Sequence, residues 1–342
     1  MKIDAPLLGS SLSVAAGLAR AHADAGFDGV FTFDGPHDPF ASLALAAEHT
    51  SLDIATGVAI ALARSPMTVA QTAHDLHTFS GGRFTLGLGS QVRAHVEHRF
   101  SMPWTRPVSR LKEYVAALRA IFACWNDDAP LRFEGEFYSH TLMPPLLRPS
   151  PCPHSAPPIL LAGVGRPMLE AAGEVADGCV LHPFHSRAWL QALALPAIAA
   201  GQSRSARTGS FEVTAQVLVI TGATEGEMTA AREAVRAQIA FYASTPAYRG
   251  VLDAEGLGDL QAELRRMTKE GRWSELGNLV DDDMLGRYAV TGEPAAAGRE
   301  LRRRYDGIAA RIALATPMLL APATLRALVD GFRSNEGGIG AA

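Results

Sequence analysis

Cysteine is scarce in this chain. Its 342 residues include three, Cys124, Cys152 and Cys179, with no C-x-x-C and no Cys/His spacing among them. That argues against a disulfide framework, a redox-cysteine motif and a structural zinc site, and it suits a reducing compartment. Long apolar runs are missing as well. No stretch reaches the roughly 18 residues of a membrane span. The segment from Leu12 is broken by Arg20, His22 and Asp24, and there is neither a basic n-region nor an apolar h-region at the start. A cytoplasmic protein without a membrane partner is expected. Neither sign of charge dominates: 31 Lys and Arg stand against 35 Asp and Glu, a net charge of −4. Such a balance offers nucleic acid no electrostatic footprint. A G-x-G-x-x-G fingerprint is absent, so a Rossmann dinucleotide site is unsupported. No metal cluster is expected, and the acidic pair Asp34 and Asp38 is the one pairing a hydrolase of the (β/α)8 type could use.

What the chain does have is a rhythm. Short apolar, unalternating runs recur at roughly the βαβ spacing, as parallel strands buried on both faces do. Lys2 to Leu7, Gly29 to Phe33, Leu52 to Val58, Arg83 to Leu88, Pro158 to Ala162, Gly178 to Leu181, Phe211 to Ile220 and Ile308 to Leu314 read as strands. Helical patterns follow each, at Ser11 to Ala25, Pro39 to His49, Pro66 to Phe79, Val108 to Phe122, Arg166 to Glu174, Ser186 to Ala200, Glu225 to Tyr242 and Pro317 to Phe332, with another at Pro294 to Tyr305. The expected class is α/β: a single (β/α)8 TIM barrel over 1–335 with a flexible tail at 336–342. Insertions are expected after strand 4, at about 124–157, and after strand 7, at about 242–293. The first reads as a hairpin at Arg132 to Tyr138 and the second as partly helical. Periodicity alone leaves an open doubly wound sheet possible, since it cannot show closure.

Four segments, each at a strand end and in the same order, resemble the luciferase-like family of flavin and deazaflavin oxidoreductases. They are Ala25-Gly26-Phe27-Asp28-Gly29-Val30-Phe31 with Asp34; Thr56-Gly57-Val58 followed by Arg64-Ser65-Pro66; Phe79-Ser80-Gly81-Gly82-Arg83-Phe84 running into Gly87-Leu88-Gly89-Ser90; and Pro158 to Gly163 with Ala176-Asp177-Gly178. The stretch Gln91 to Trp104, Thr245-Pro246-Ala247-Tyr248 and Gly271-Arg272-Trp273 look like the branch that uses the deazaflavin coenzyme F420. The resemblance implies a homodimer acting on a small organic molecule. It implies hydride transfer between coenzyme F420 and that substrate. The alternatives are a monooxygenase using flavin mononucleotide (FMN) and O2, and a barrel that binds coenzyme without catalysis.

Chemistry in a (β/α)8 barrel sits at the C-terminal ends of the strands, and that rule selects the candidates. Gly163-Val164-Gly165-Arg166-Pro167-Met168 follows a strand and opens a helix. Free N–H groups and the helix dipole there attract a phosphate, although a tight connection with no ligand fits the same pattern. The resemblance gives this loop the coenzyme's phosphate, with Arg93 as a second partner and Ser90 and Gln91 beside it. It places a cis peptide at Gly57–Val58 against the coenzyme's middle ring, and Asp34 near the ring's polar edge. Relatives acting on sugar phosphates carry a histidine directly after that aspartate; this chain has Gly35, and the nearest histidine is His37. His37, His95 and Glu97 are the candidates for proton transfer, and His182 and His185 for substrate contact, because imidazole titrates near neutral pH. Each of these could equally be an ordinary polar residue. His22, His49, His74 and His77 fall on helices and read as structural. Phe133, Phe137, Trp273 and Tyr288 are candidate walls for an apolar substrate.

Overall fold

Eight parallel strands close into a ring. In the computed structural model, which describes residues 1–7, 11–205 and 207–334, they are β1 (Lys2–Pro6), β2 (Gly29–Thr32), β3 (Asp53–Thr56), β4 (Phe84–Gly89), β5 (Ile159–Gly163), β6 (Gly178–Leu181), β7 (Glu212–Ile220) and β8 (Arg311–Ala315). Each pairs in parallel with the next. The ring closes where Lys2, Ile3 and Asp4 lie opposite Arg311, Ile312 and Ala313. That pairing makes the fold the expected (β/α)8 barrel and excludes the open sheet. All four residues of β2 and all four of β6 are buried, which is why these strands read as unbroken apolar runs. The expected tail, 336–342, lies outside the described residues.

Helix starts follow local chemistry. Ser65 accepts a hydrogen bond from the Met67 N–H at 3.2 Å and Pro66 takes the first helical position of Pro66–Phe79. The helix expected from Pro317 begins instead at Pro322, because a proline inside a helix would break the preceding turn. The hairpin is also displaced. Its strands are Phe133–Glu134 and Ser139–His140, and 135–138 form the turn because the Glu113 carboxylate accepts from the backbone N–H groups of Glu136, Phe137 and Tyr138. A short helix, Arg93–His98, and a strand, Ala289–Thr291, paired to the end of β7, were not expected from the sequence.

The lower end of the barrel is ionic. Arg311 donates to Asp4 at 2.6 Å and to Asp53 at 2.7 Å, and lies 3.5 Å from Glu212; Lys2 reaches Asp53 at 2.6 Å. Asp4 is 2% exposed. Burial pushes its carboxyl up to about 7, against the lowering pull of Arg311. A carboxyl whose folded pKa lies above its unfolded value of about 3.9 binds more protons folded than unfolded. Its contribution to stability is therefore present at acidic pH and lost as pH rises through 7. Two outcomes follow. Arg311→Met, which strands the buried Asp4, should cost about 3–5 kcal/mol in urea unfolding. Stability of the native chain should fall between pH 5 and pH 8 more steeply than that of Asp4→Asn, measured by urea midpoints across that range.

Candidate functional site

At the opposite, C-terminal end of the barrel the chain after β3 folds inward over the mouth. The Gly57–Val58 peptide is cis, as the resemblance implies. Gly57 donates to the Thr32 carbonyl at 2.6 Å, and its own carbonyl accepts from the Gln216 side-chain amide of β7 at 2.6 Å, across the barrel. A Cβ on Gly57 would lie 2.9 Å from the Phe31 ring. The neighbouring strand β4 makes the space. A side chain on Gly87 would collide with the Thr56 carbonyl, and one on Gly89 would lie 2.8 Å from Val58 Cγ2. Val58 is thereby seated half-buried against β4.

Asp34 braces this turn from the end of β2. Its backbone N–H donates to the Val58 carbonyl at 3.1 Å, and its carboxylate accepts from the Ile60 N–H at 2.7 Å. Arg64 grips both carboxylate oxygens, one of them at 3.0 Å. The helix-capping role that a lone aspartate often has falls to Asp38, which accepts from Phe40 N–H at 2.9 Å and Ala41 N–H at 3.2 Å.

The loop after β5 separates two glycines by function. A Cβ at Gly163 would crowd Met168 and Leu169 at 3.1 Å, so that glycine serves the packing of its own loop. A Cβ at Gly165 would meet nothing nearer than Pro167 Cδ at 3.9 Å. Gly165 is the N-cap of the helix Arg166–Val175, whose start has no side-chain cap. Val164 and Met168 are half-buried and Gly165, Arg166 and Pro167 exposed. Pro167 has no N–H and the Met168 N–H donates to the Gly165 carbonyl at 3.1 Å, which leaves the N–H groups of Gly165 and Arg166 for an anion.

Ser90 and Gln91 form the turn after β4: the Ser90 hydroxyl donates to the Gln91 carbonyl, and Gln91 adopts a left-handed φ of 59°. Arg93 is 70% exposed and donates to Glu97 at 2.8 Å. His95 is exposed on the same short helix, and His37 is exposed on the loop after β2.

After β6 the two histidines part company. His185 is 2% exposed. Its Nδ1 lies 2.6 Å from the His182 carbonyl and its Nε2 2.8 Å from the Tyr305 hydroxyl, leaving no nitrogen for a substrate. Burial pushes its pKa down to about 4. His182 is half-buried at the mouth. Val180 and Gln216 face the same small internal cavity, and β6–β7 register sets Leu181 beside Ala215. Continued alternation turns His182 inward, level with Gln216. Its ring stacks on Tyr248 with centroids 4.6 Å apart and meets Tyr242 edge-on at 4.6 Å.

The sequence pattern of the luciferase-like monooxygenase family matches residues 3–311. The chain belongs to that family. An uncharacterized protein of Mycobacterium tuberculosis is 50% identical over 305 residues, covering 89% of this chain and 90% of its own. The 5,10-methylenetetrahydromethanopterin reductase of Methanolobus tindarius is 26% identical over 302 residues, covering 86% and 87%. Among solved structures, the coenzyme F420-dependent tetrahydromethanopterin reductase of Methanopyrus kandleri superposes with a TM-score of 0.75 at 19% identity, covering 96% of this chain and 97% of that one. As a luciferase-like protein, the chain is an oxidoreductase, as expected. No described helix is long and apolar enough to cross a membrane.

The luciferase-like frame brings Asp34, Gly57 and Val58 into one contiguous seat, with Ser90 and Gln91 at the end of β4 and Gly163 to Met168 at the end of β5. Four contributors were given no role from the sequence: Arg64, Gln216, Tyr242 and Tyr248. Arg64 and Tyr248 lay inside segments noted only as resembling the family or a branch of it. Of the expected aromatic walls, Tyr288 is 2% exposed and packs beneath Phe184 at 4.8 Å. Trp273 is exposed and lies 6.4 Å from Phe241.

The contact between Gly89 and Val58 yields a double-mutant test. Gly89→Ala overpacks Val58 and should destabilise by about 1–3 kcal/mol. Val58→Ala, which removes the colliding methyl, should recover most of that loss when combined with it, read as a coupling energy from urea unfolding of the four proteins.

Proposed function

We propose that this protein transfers a hydride between coenzyme F420 and a small organic substrate, working as a cytoplasmic homodimer. The observation that carries the reading is the uncapped helix start at Gly165, a glycine that packing does not require, on the same mouth as the half-buried Val58. The residues fit such a coenzyme. The loop Gly163 to Met168 would hold its phosphate, chiefly through the N–H groups of Gly165 and Arg166 and assisted by Arg93, and Val58 would support its ring. Asp34, Ser90 and Gln91 would line the ring's polar edge, with Gly57 keeping the turn close. When bound, the coenzyme supplies the redox chemistry, and the protein contributes orientation and protons. His37, His95 and Glu97 are the residues for proton transfer, with His182 at the substrate. The Methanopyrus structure, named as coenzyme F420-dependent, supports this choice.

The family's description as monooxygenases favours a second reading, in which reduced FMN and O2 are used. Titrating the protein with each coenzyme, followed by ring absorbance and fluorescence, separates the two. Binding of neither would exclude both. Gly165→Val should leave circular dichroism unchanged and weaken coenzyme binding by about tenfold to a hundredfold, the loss of one or two charge-assisted hydrogen bonds. His37→Ala should slow turnover and leave coenzyme dissociation unchanged. Equal turnover in that variant would move the proton-transfer role to His95, Glu97 or His182, or to no side chain at all.

A further inference from the structure

The ring cluster after β6 holds a proton whose direction can be deduced. A backbone N–H only donates, so the Phe184 N–H, 3.1 Å from His182 Nδ1, makes that nitrogen an acceptor. The neutral imidazole then carries its proton on Nε2, which lies 3.3 Å from the Tyr248 hydroxyl oxygen in the stacked pair and offers that hydroxyl no lone pair. The Tyr248 hydroxyl therefore keeps its own proton for a different acceptor. Among the described residues no hydrogen bond takes it. Burial pushes His182 down to about 3 and Tyr248 up to about 12, so both are uncharged at neutral pH.

The surroundings restrict what the acceptor can be. Tyr242 and Phe184 pack around the pair, with Phe184 6.3 Å from the Tyr248 ring and Tyr242 6.0 Å from it. Among the described residues no lysine or arginine bonds to either ring. A phosphate or carboxylate brought here would be desolvated without a counter-charge. We propose that Tyr248, aimed by His182, is a directed hydrogen-bond donor to the substrate, and that the substrate presents an uncharged carbonyl or comparable acceptor on an apolar or aromatic body. This assignment rests on the mouth being the substrate site of the proposed oxidoreductase, and it adds the class of molecule.

The test is made on the full chain without coenzyme, so it stands or falls separately from the titrations above. Acetophenone and α-methylstyrene have nearly the same shape and differ in C=O against C=CH2; benzoate adds a charge. Ligand-detected NMR should show acetophenone bound about three- to tenfold more tightly than α-methylstyrene, the range of one neutral hydrogen bond, with benzoate weakest. Tyr248→Phe should abolish the preference and leave α-methylstyrene affinity unchanged. His182→Ala, which removes the ring stacked on Tyr248, should reduce it, and His182→Phe, which keeps a ring there, should restore it. Nitrogen-15 NMR of the histidines should show His182 as the neutral Nε2–H tautomer at pH 7. The proposal is overturned by an undiminished preference in folded Tyr248→Phe, by no preference in the native chain, by benzoate binding as tightly as acetophenone, or by an Nδ1–H tautomer.

Discussion

Space between two strands is the quantity on which the mouth depends. The turn after β3 can lie over the barrel only because β4 presents Gly87 and Gly89 to it, one beneath the Thr56 carbonyl and one against Val58. Everything else holds the turn in that space. Thr56 donates its hydroxyl to the Gly87 carbonyl at 2.7 Å, Gln216 reaches across to the Gly57 carbonyl, and Asp34 takes the Ile60 N–H. Arg64 then fixes Asp34. Neutral and charged hydrogen bonds alike thus fix the turn at Gly57 and Val58.

The two ends of the barrel use charge in opposite ways. Below, Arg311 gathers Asp4, Asp53 and Glu212 into a compact ionic cluster whose members satisfy one another. Above, the Asp34–Arg64 pair sits to one side, and the surface facing the ring cluster of β6 is made of aromatic rings and a neutral imidazole. On that side of the mouth low polarity strengthens any hydrogen bond made, and it leaves selection to the number and direction of donors.

The barrel was legible in the sequence because buried parallel strands carry their signal locally, in runs such as Gly29 to Phe33. The glycines after β3 and β5 stood out by their place at strand ends, but a plain turn carries the same glycines, and only the space around each separates Gly163 from Gly165. The braces were not. Asp34 meets Arg64 over 30 positions, Gln216 meets Gly57 over 159, and Tyr248 meets His182 over 66; no spacing rule links such pairs. His182 and His185 look alike as residues after a strand. Only the register of β6 with β7, and a tyrosine 120 positions away, turn one toward the mouth and bury the other.

The ionic floor has a consequence for the order in which the fold assembles. Asp4 stands in the first strand and Arg311 in the last, 307 positions apart, and β1 pairs with β8 beside them. That seam can form only once all eight strands exist, and it closes the longest loop in the barrel. The ion pair therefore rewards completion of the ring rather than any partial stack of its strands.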